Sequence, residues 1–134
     1  PEAVFASNTS MFTIADLAEV TTRKDRFIGM HLFSPANIMK LVEVTHTEDT
    51  SEEVTNLIVE LSKSMGKVPI VLKDVPGDTG FVGNRIMAAV RREAMKIIDE
   101  GVATKEDINL AMTLGFRWPE GPFPRGPNAR SGWK

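Results

Sequence analysis

The amino-acid sequence predicts an α/β unit followed by a helical segment, and three observations lead to this fold class. The β-branched and aromatic runs "RFIGMHLF" (26–33) and "KLVEVTH" (40–46) flank the turn signal "SPAN" and predict two closely joined strands. A helix-spaced segment and the apolar run "VPIVLKD" (68–74) follow, an order typical of a parallel crossover. After "VPGDTG" (75–80) the apolar residues recur only at helical spacing.

The elements ahead of these strands are short. "VFAS" (4–7) predicts a strand end that runs into a polar turn, and "IADLAEV" (14–20) predicts a helix. Thr13 precedes this helix as a cap, and Asp16 stands at the position that completes a capping box. We therefore expect a strand, a polar turn and one short helix before the strand pair.

The clearest helix in the sequence lies between the second and third strand-like runs. Thr50 is its expected N-cap, Glu53 is placed to complete a capping box, and Gly66 is the expected C-terminal stop. The apolar residues at helical spacing on one face, which we expect to be buried, are Val54, Leu57, Ile58, Leu61 and Met65.

The second half of the chain predicts two helices. The first runs from Asn84 to Glu100 and ends at Gly101. The second, "KEDINLAMTL" (105–114), follows Thr104, whose spacing to an acidic residue three positions later is typical of a capping box. The stripe of the longer helix that we expect to be apolar consists of Ile86, Val90, Ala94, Ile97 and Ile98.

The change in pattern at "VPGDTG" is the best domain boundary in the sequence. We assign residues 1–77 to the α/β domain and 78–123 to the start of a helical domain. The stretch "FRWPEGPFPRGPNARSGWK" (116–134) has no periodicity and holds four of the eight prolines, so we expect residues 124–134 to be a disordered tail.

Composition excludes several classes of function. The chain has 134 residues, of which 42% are hydrophobic and 25% charged, a balance typical of a globular protein with a real core. A net charge of -2 does not indicate a nucleic-acid partner or an anionic membrane surface. No apolar run is long enough to span a bilayer, and the first residues do not resemble a signal peptide. With no cysteine in the sequence, we expect a reducing, cytoplasmic location.

His31 and Glu43 are the residues that most suggest chemistry. Glu43 stands inside an apolar strand, where a carboxylate is costly unless something pairs with it. A hairpin about "SPAN" brings His31 near the facing position, where the carboxylate would fix the imidazole tautomer and raise the basicity of its other nitrogen. The spacing fits a catalytic base with its orienting carboxylate and a structural ion pair equally well.

The other candidate features are weaker. His46 ends the same strand beside polar residues and is expected to be exposed without a role, and no cluster has metal-ligand spacing. "SNTS" (7–10) follows a strand end, where ligands of α/β sheets collect, although an ordinary polar turn explains it equally simply. "GDTGFVGNR" lacks the glycine spacing of a phosphate loop. Asn84, which follows it, either binds a ligand or caps the helix, and the residue type favours the cap.

Several separated motifs, in order, resemble the L-3-hydroxyacyl-CoA dehydrogenase family. They are "FASNTSMFTIADLAEVTTRKDRFIGMHLFSPANIMKLVEV", "KDVPG" with "GNRI", and "EGVATKEDINLAMTLGFRWPEGPF". The resemblance implies the C-terminal part of a Rossmann-like dinucleotide-binding domain, then the first helices of an all-helical substrate and dimerisation domain, with the active site between the domains. It also implies oxidation of the 3-hydroxyl group of an acyl-CoA with NAD, as in fatty acid β-oxidation or butanoate metabolism.

The resemblance implies a role for each of five residues. His31 matches the catalytic base that takes the hydroxyl proton, and Glu43 matches its carboxylate partner. Ser10 matches the serine that contacts substrate and nicotinamide, and Asn84 matches the asparagine that holds the reacting end of the substrate. Ser34 stands where the family has an asparagine near the nicotinamide, because "HLFSP" replaces "HFFNP".

The chain also departs from the family pattern. Residues 78–80 ("DTG") are inserted between "PG" and "F", no dinucleotide fingerprint precedes the first strand, and the tail does not continue the family's helices. We therefore expect a central fragment that does not bind NAD appreciably by itself. The alternative is a non-catalytic acyl-CoA-binding or oligomerisation module. Open apolar surfaces predict a homodimer or larger assembly, with exchange of the helical segment across "VPGDTG" as one route.

Overall fold

A computed structural model describes residues 2–75, 77 and 80–123. The chain forms two compact units that divide between Phe81 and Val82, four residues beyond the sequence-based boundary. Phe81 goes with the first unit because it packs against the buried cluster of Ile14, Ala18 and Phe27. The predicted tail and most of the "DTG" insertion lie outside the described residues.

The first unit is built on a four-stranded sheet. Its strands, in spatial as well as chain order, are β1 (Phe5–Ser7), β2 (Phe27–Leu32), β3 (Leu41–His46) and β4 (Val68–Lys73). The outer pairs β1–β2 and β3–β4 are parallel, whereas β2 and β3 are antiparallel. The predicted α/β fold class is therefore confirmed, with the strand pair about "SPAN" at the centre of the sheet.

Helices cover both faces of this sheet. Helix α1 (Ile14–Ala18) is capped by Thr13, whose hydroxyl accepts a hydrogen bond from Asp16 N at 3.2 Å. Helix α2 (Glu52–Ser64) is the crossover between β3 and β4. Because side chains alternate along a strand, each helix contacts a different set of sheet residues.

The α2 face carries the larger core. Its buried members, drawn from both the helix and the central strands, are Ile28, Met30, Val42, Val44, Val54 and Ile58. On the opposite face, Gly29 lets α1 lie close to the sheet, since a Cβ there would be 2.8 Å from Cδ1 of Ile14 and 3.0 Å from Cβ of Thr45. Carbon atoms pack at about 3.5–4.0 Å, so only glycine leaves room for α1 at this point.

Two expectations about α2 are wrong. The N-cap is Ser51, whose Oγ accepts from Val54 N at 3.2 Å. Thr50 instead donates its hydroxyl to Phe27 O at 2.9 Å and accepts from Thr47 N at 2.9 Å, so it joins the helix start to β2. Three residues of the predicted buried face are about half exposed: Leu57 (51%), Leu61 (45%) and Met65 (50%). The buried residues of this helix are Val54, Ile58 and Ser62, which are spaced four apart, so one row of side chains meets the sheet and the flanking row stays outside.

The second unit is helical in its described part. It contains α3 (Gly83–Asp99) and α4 (Lys105–Leu110). Thr104 and Asp107 form the predicted capping box, in which each side chain accepts from the other residue's backbone N–H. The predicted single helix over 105–114 is wrong, because α4 passes into a π-helical segment at Ala111–Gly115. Of the described helices, none is long and apolar enough to cross a membrane.

Candidate active site

The β2–β3 hairpin brings His31 and Glu43 together. The antiparallel register pairs them directly, and the flanking pairs are Met30 with Val44 and Leu32 with Val42. Directly opposite residues of an antiparallel pair project to the same face. Because Met30 and Val44 face the α2 core, His31 and Glu43 project to the other side of the sheet.

The two side chains form a short, buried contact. His31 Nδ1 lies 2.7 Å from Glu43 Oε2, and the side chains are 7% and 0% exposed. An ionised carboxylate only accepts hydrogen bonds, so the contact assigns the proton to Nδ1. In a neutral imidazole, Nε2 is then the free acceptor. The pair therefore has the arrangement of a general base held by an orienting carboxylate.

Two aromatic rings surround the imidazole. The Phe33 ring centroid lies 4.7 Å and the Phe81 ring centroid 5.8 Å from that of His31. Phe33 follows His31 by two positions, and side chains two positions apart in extended chain lie on the same face, so the sequence pattern could have identified Phe33 as a neighbour. Phe81 is 50 residues away in sequence and adopts a left-handed backbone with φ of 47°, which no sequence pattern indicated. These rings reduce the access of water to the pair.

The "SNTS" turn lies at the carboxyl end of β1, next to the strand that carries His31. Ser10 is half-buried in this turn. Asn8 Oδ1 accepts a hydrogen bond from Leu32 N at 2.8 Å, so the turn is joined to the residue that follows His31. The carboxyl ends of β1 and β2 lie side by side because the two strands are parallel. This sheet edge is where ligands of α/β folds bind.

Ser34 lies two residues beyond the end of β2. It is exposed and belongs to the connection between β2 and β3. This connection is held by Lys67, whose Nζ donates to Ala36 O and, at 2.8 Å, to Met39 O. The serine is therefore three residues from His31 along the chain, in a segment with defined hydrogen bonds.

Asn84 belongs to the second unit. It is half-buried in the first turn of α3, but the N-cap of that helix is Val82, which makes no side-chain capping bond. Asn84 is therefore not the N-cap of α3. His46, the other histidine of the chain, is half-buried, and its Nδ1 lies 3.0 Å from Thr47 O. In the described part of the chain, no group of three acidic or histidine side chains is placed to hold a metal ion.

Comparison with known families matches both units. The family described as "3-hydroxyacyl-CoA dehydrogenase, NAD binding domain" matches residues 1–75. The one described as "3-hydroxyacyl-CoA dehydrogenase, C-terminal domain" matches residues 80–125. The two matches follow each other in the chain as the two units do.

Individual relatives agree with these family matches. The mitochondrial hydroxyacyl-coenzyme A dehydrogenase of Sus scrofa is 48% identical over 90% of this chain and 37% of its own length. The 3-hydroxybutyryl-CoA dehydrogenase of Clostridioides difficile is 45% identical over 93% of this chain and 43% of its own length. The crystal structure of (S)-3-hydroxybutyryl-CoA dehydrogenase PaaH1 from Ralstonia eutropha superposes with a TM-score of 0.84 at 45% identity, covering 90% of this chain and 41% of that one. The chain thus spans about two fifths of the length of these relatives.

Proposed function

Because the chain belongs to the 3-hydroxyacyl-CoA dehydrogenase family, we propose that it carries the catalytic base of an NAD-dependent enzyme. The enzyme oxidises the 3-hydroxyl group of an L-3-hydroxyacyl-CoA to the 3-oxoacyl-CoA. The observation that carries the proposal is the buried 2.7 Å contact between His31 Nδ1 and Glu43 Oε2. A dehydrogenase of this kind needs a base for the hydroxyl proton, and this pair presents one at Nε2.

The geometry of the pair and the resemblance to the family support a role for each residue. His31 Nε2 accepts the proton of the 3-hydroxyl group; NAD, held in the complete enzyme, would supply the acceptor for the hydride from C3. Glu43 keeps the ring in the tautomer that can accept and stabilises the imidazolium that forms. Since Glu43 is fully buried, its attraction for the charged ring is weakly screened by water.

We also propose roles for three further residues, which the resemblance to the family supports. Ser10, in the turn at the carboxyl end of β1, would contact substrate and nicotinamide, and Ser34, in the connection after β2, would contribute to the nicotinamide site. Asn84, in the second unit, would hold the reacting end of the substrate. The chain's residues therefore fit the reacting end of NAD, whereas its sequence contains no G-x-G-x-x-G turn for the pyrophosphate.

The substrate class is part of the proposal. The names of the relatives specify hydroxyacyl-CoA and 3-hydroxybutyryl-CoA, so we propose an acyl-CoA of the fatty acid β-oxidation or butanoate type. A cytoplasmic location is likewise proposed; the Sus scrofa relative is named mitochondrial and the Clostridioides difficile relative is not. Because the chain spans about two fifths of these relatives, the proposed activity is that of the complete enzyme.

One alternative is supported by the same coverage: these 134 residues alone act as a non-catalytic acyl-CoA-binding or oligomerisation module. Oxidation of NADH by acetoacetyl-CoA separates the two. We expect turnover by the complete enzyme, and neither turnover nor saturable NADH binding by the 134-residue chain in calorimetry. A complete enzyme that reduces no 3-oxoacyl-CoA would contradict the proposed function, and tight NADH binding by the short chain would contradict the need for further residues.

Self-association is also proposed, through the apolar stripe of α3. Ile86 is 57% exposed on this helix, whereas Ala94 is 4% exposed. At the free edge of the sheet, Phe5 of β1 is 42% exposed. Exposed apolar side chains and open strand edges favour pairing with another copy. Light scattering over a concentration series tests this: we expect a dimer or larger species, with exchange of the helical segment as one route, and a strictly monomeric chain would refute it.

A further inference from the structure

We propose that Asn8 is a positioning residue: its side chain holds the turn that contains Ser10 in register with the strand that carries His31. This inference rests on the proposed function, because it concerns the distance between two groups of that site. The observation behind it is the 2.8 Å hydrogen bond from Leu32 N to Asn8 Oδ1, which joins residues 24 positions apart in the sequence.

The bond continues the sheet after the backbone of β1 has left it. The last backbone pair of β1 and β2 is Ser7 with Gly29, yet β2 runs on to Leu32. The backbone N–H of Leu32 would otherwise lack a strand partner on that side. The Asn8 side chain takes the place of the missing strand and accepts this N–H, which is directly after His31 in the chain.

The chemistry of the bond fixes the orientation of the amide. A backbone N–H only donates, so the Asn8 atom that faces it must be the carbonyl oxygen and not the amide nitrogen. Nδ2 therefore projects away from Leu32. An aspartate at this position would keep the acceptor oxygen and lose the two N–H donors, which gives a variant that separates the two ends of the side chain.

Hydrogen bonds within the turn link Asn8 to the segment that contains Ser10. Thr9 N lies 3.3 Å from Ser7 Oγ, and Thr9 Oγ1 accepts from Met11 N at 3.4 Å and from Phe12 N at 3.0 Å. Ser10 lies between the two ends of this network. Because these bonds restrict the turn, we infer that the Asn8–Leu32 bond also restrains the position of Ser10 relative to His31.

The consequence is a distance restraint between two groups that act on the same substrate. Misplacement of a reacting group by about 1 Å can lower the rate by about 100-fold. We expect Asn8→Ala in the complete enzyme to lower kcat by roughly 10- to 100-fold with a smaller change in the KM for the acyl-CoA. Asn8→Asp should retain most of kcat because it keeps the acceptor. Asn56→Ala, at an exposed position of α2, is the matched control and should leave both constants unchanged.

A second measurement follows the bond itself, without substrate or cofactor. Hydrogen exchange of the Leu32 amide should be faster in Asn8→Ala by roughly 2- to 12-fold, which is the range that corresponds to the net free energy of one hydrogen bond. It should be unchanged in Asn8→Asp. If both kcat and Leu32 exchange are unaffected in Asn8→Ala, the inference is wrong. If Asn8→Asp loses kcat as Asn8→Ala does while Leu32 stays protected, Asn8 acts through Nδ2 and the positioning role is refuted. An inactive complete wild-type enzyme, with Leu32 exchange as expected, would instead refute the proposed function.

Discussion

The two units of the chain differ in the range of the contacts that hold their elements. In the first unit, residues far apart in sequence are fully buried together, as are Ile28 of β2 and Val54 of α2. In the described part of the second unit, the buried side chains are Ala94, Ile108 and Pro122, and α3 and α4 expose Ile86 (57%) and Leu110 (54%). The capping box of α4 joins residues only three positions apart.

This difference explains where the proposed catalytic pair is placed. A strand pair fixes the position of a side chain through register, and a slip by one residue would turn it to the other face. The His31–Glu43 pair depends on such a register, with both strands locked by the α2 core on one face and α1 on the other. By contrast, the start of α4 is defined by hydrogen bonds between residues three positions apart. Such bonds fix the conformation of the helix start but not its distance from residues elsewhere in the chain.

The largest effect is expected at the catalytic pair. In the complete enzyme, His31→Gln should lower kcat by about 10²–10⁴-fold with little change in KM, because general-base catalysis contributes that much and a neutral amide cannot take the proton. Steady-state kinetics with NAD and a 3-hydroxyacyl-CoA measure it. His46→Gln is the matched control, since it changes the chain's other histidine at the far end of β3. Near-normal kcat in His31→Gln would remove His31 from the mechanism.

A smaller effect is expected when an isoleucine is replaced by alanine, and the loss of unfolding free energy should differ between the two units. Ile28→Ala removes a fully buried side chain and should lower the free energy of unfolding by about 2–5 kcal/mol. Ile86→Ala removes a side chain that is 57% exposed in the single chain, so at concentrations where light scattering shows a monomer it should change this free energy by about 0.5 kcal/mol or less. Urea denaturation of the 134-residue chain compares them. Equal losses at that concentration would show that the chain buries this position within itself, whereas a loss from Ile86→Ala that grows with protein concentration would indicate burial against a second copy.

The smallest effect concerns pH and α4. The side-chain and backbone hydrogen bonds from Thr104 lower the pKa of Asp107 from its ordinary value of 3.8. The carboxylate therefore supports the helix start at pH values above 3.8, and this support is lost as the pH falls through the lowered pKa.

An NMR titration of this carboxyl and of the Thr104 amide tests that sign. The midpoint should lie below 3.8, and Asp107→Asn should abolish the change at Thr104. The sheet signals of the first unit should not follow the same midpoint. A midpoint above 3.8 would mean that the capping box does not form in solution.

Local signals in the sequence were sufficient for much of the fold. The strand–turn–strand pattern predicted the pairing that sets His31 opposite Glu43, and the spacing of Thr104 and Asp107 predicted the cap of α4. The N-cap of α2 was predicted one residue too early, because Thr50 and Ser51 are both common capping types. The Thr50 hydroxyl is instead bonded to Phe27 O of β2, a contact that local sequence does not show.

The sequence alone determined which residue types could do chemistry, since a histidine and a glutamate within apolar strands are visible in the pattern. It also determined the strand pairing, because side-chain alternation and the turn fix the register. Only the tertiary structure decided what surrounds the pair. The Phe81 ring approaches from a position 50 residues away in the sequence, and the Asn8 side chain reaches β2 beyond the end of β1. The tertiary structure also decided that Leu57 and Leu61 of α2 stay exposed. Those contacts depend on how separate elements pack in space, which local periodicity does not encode.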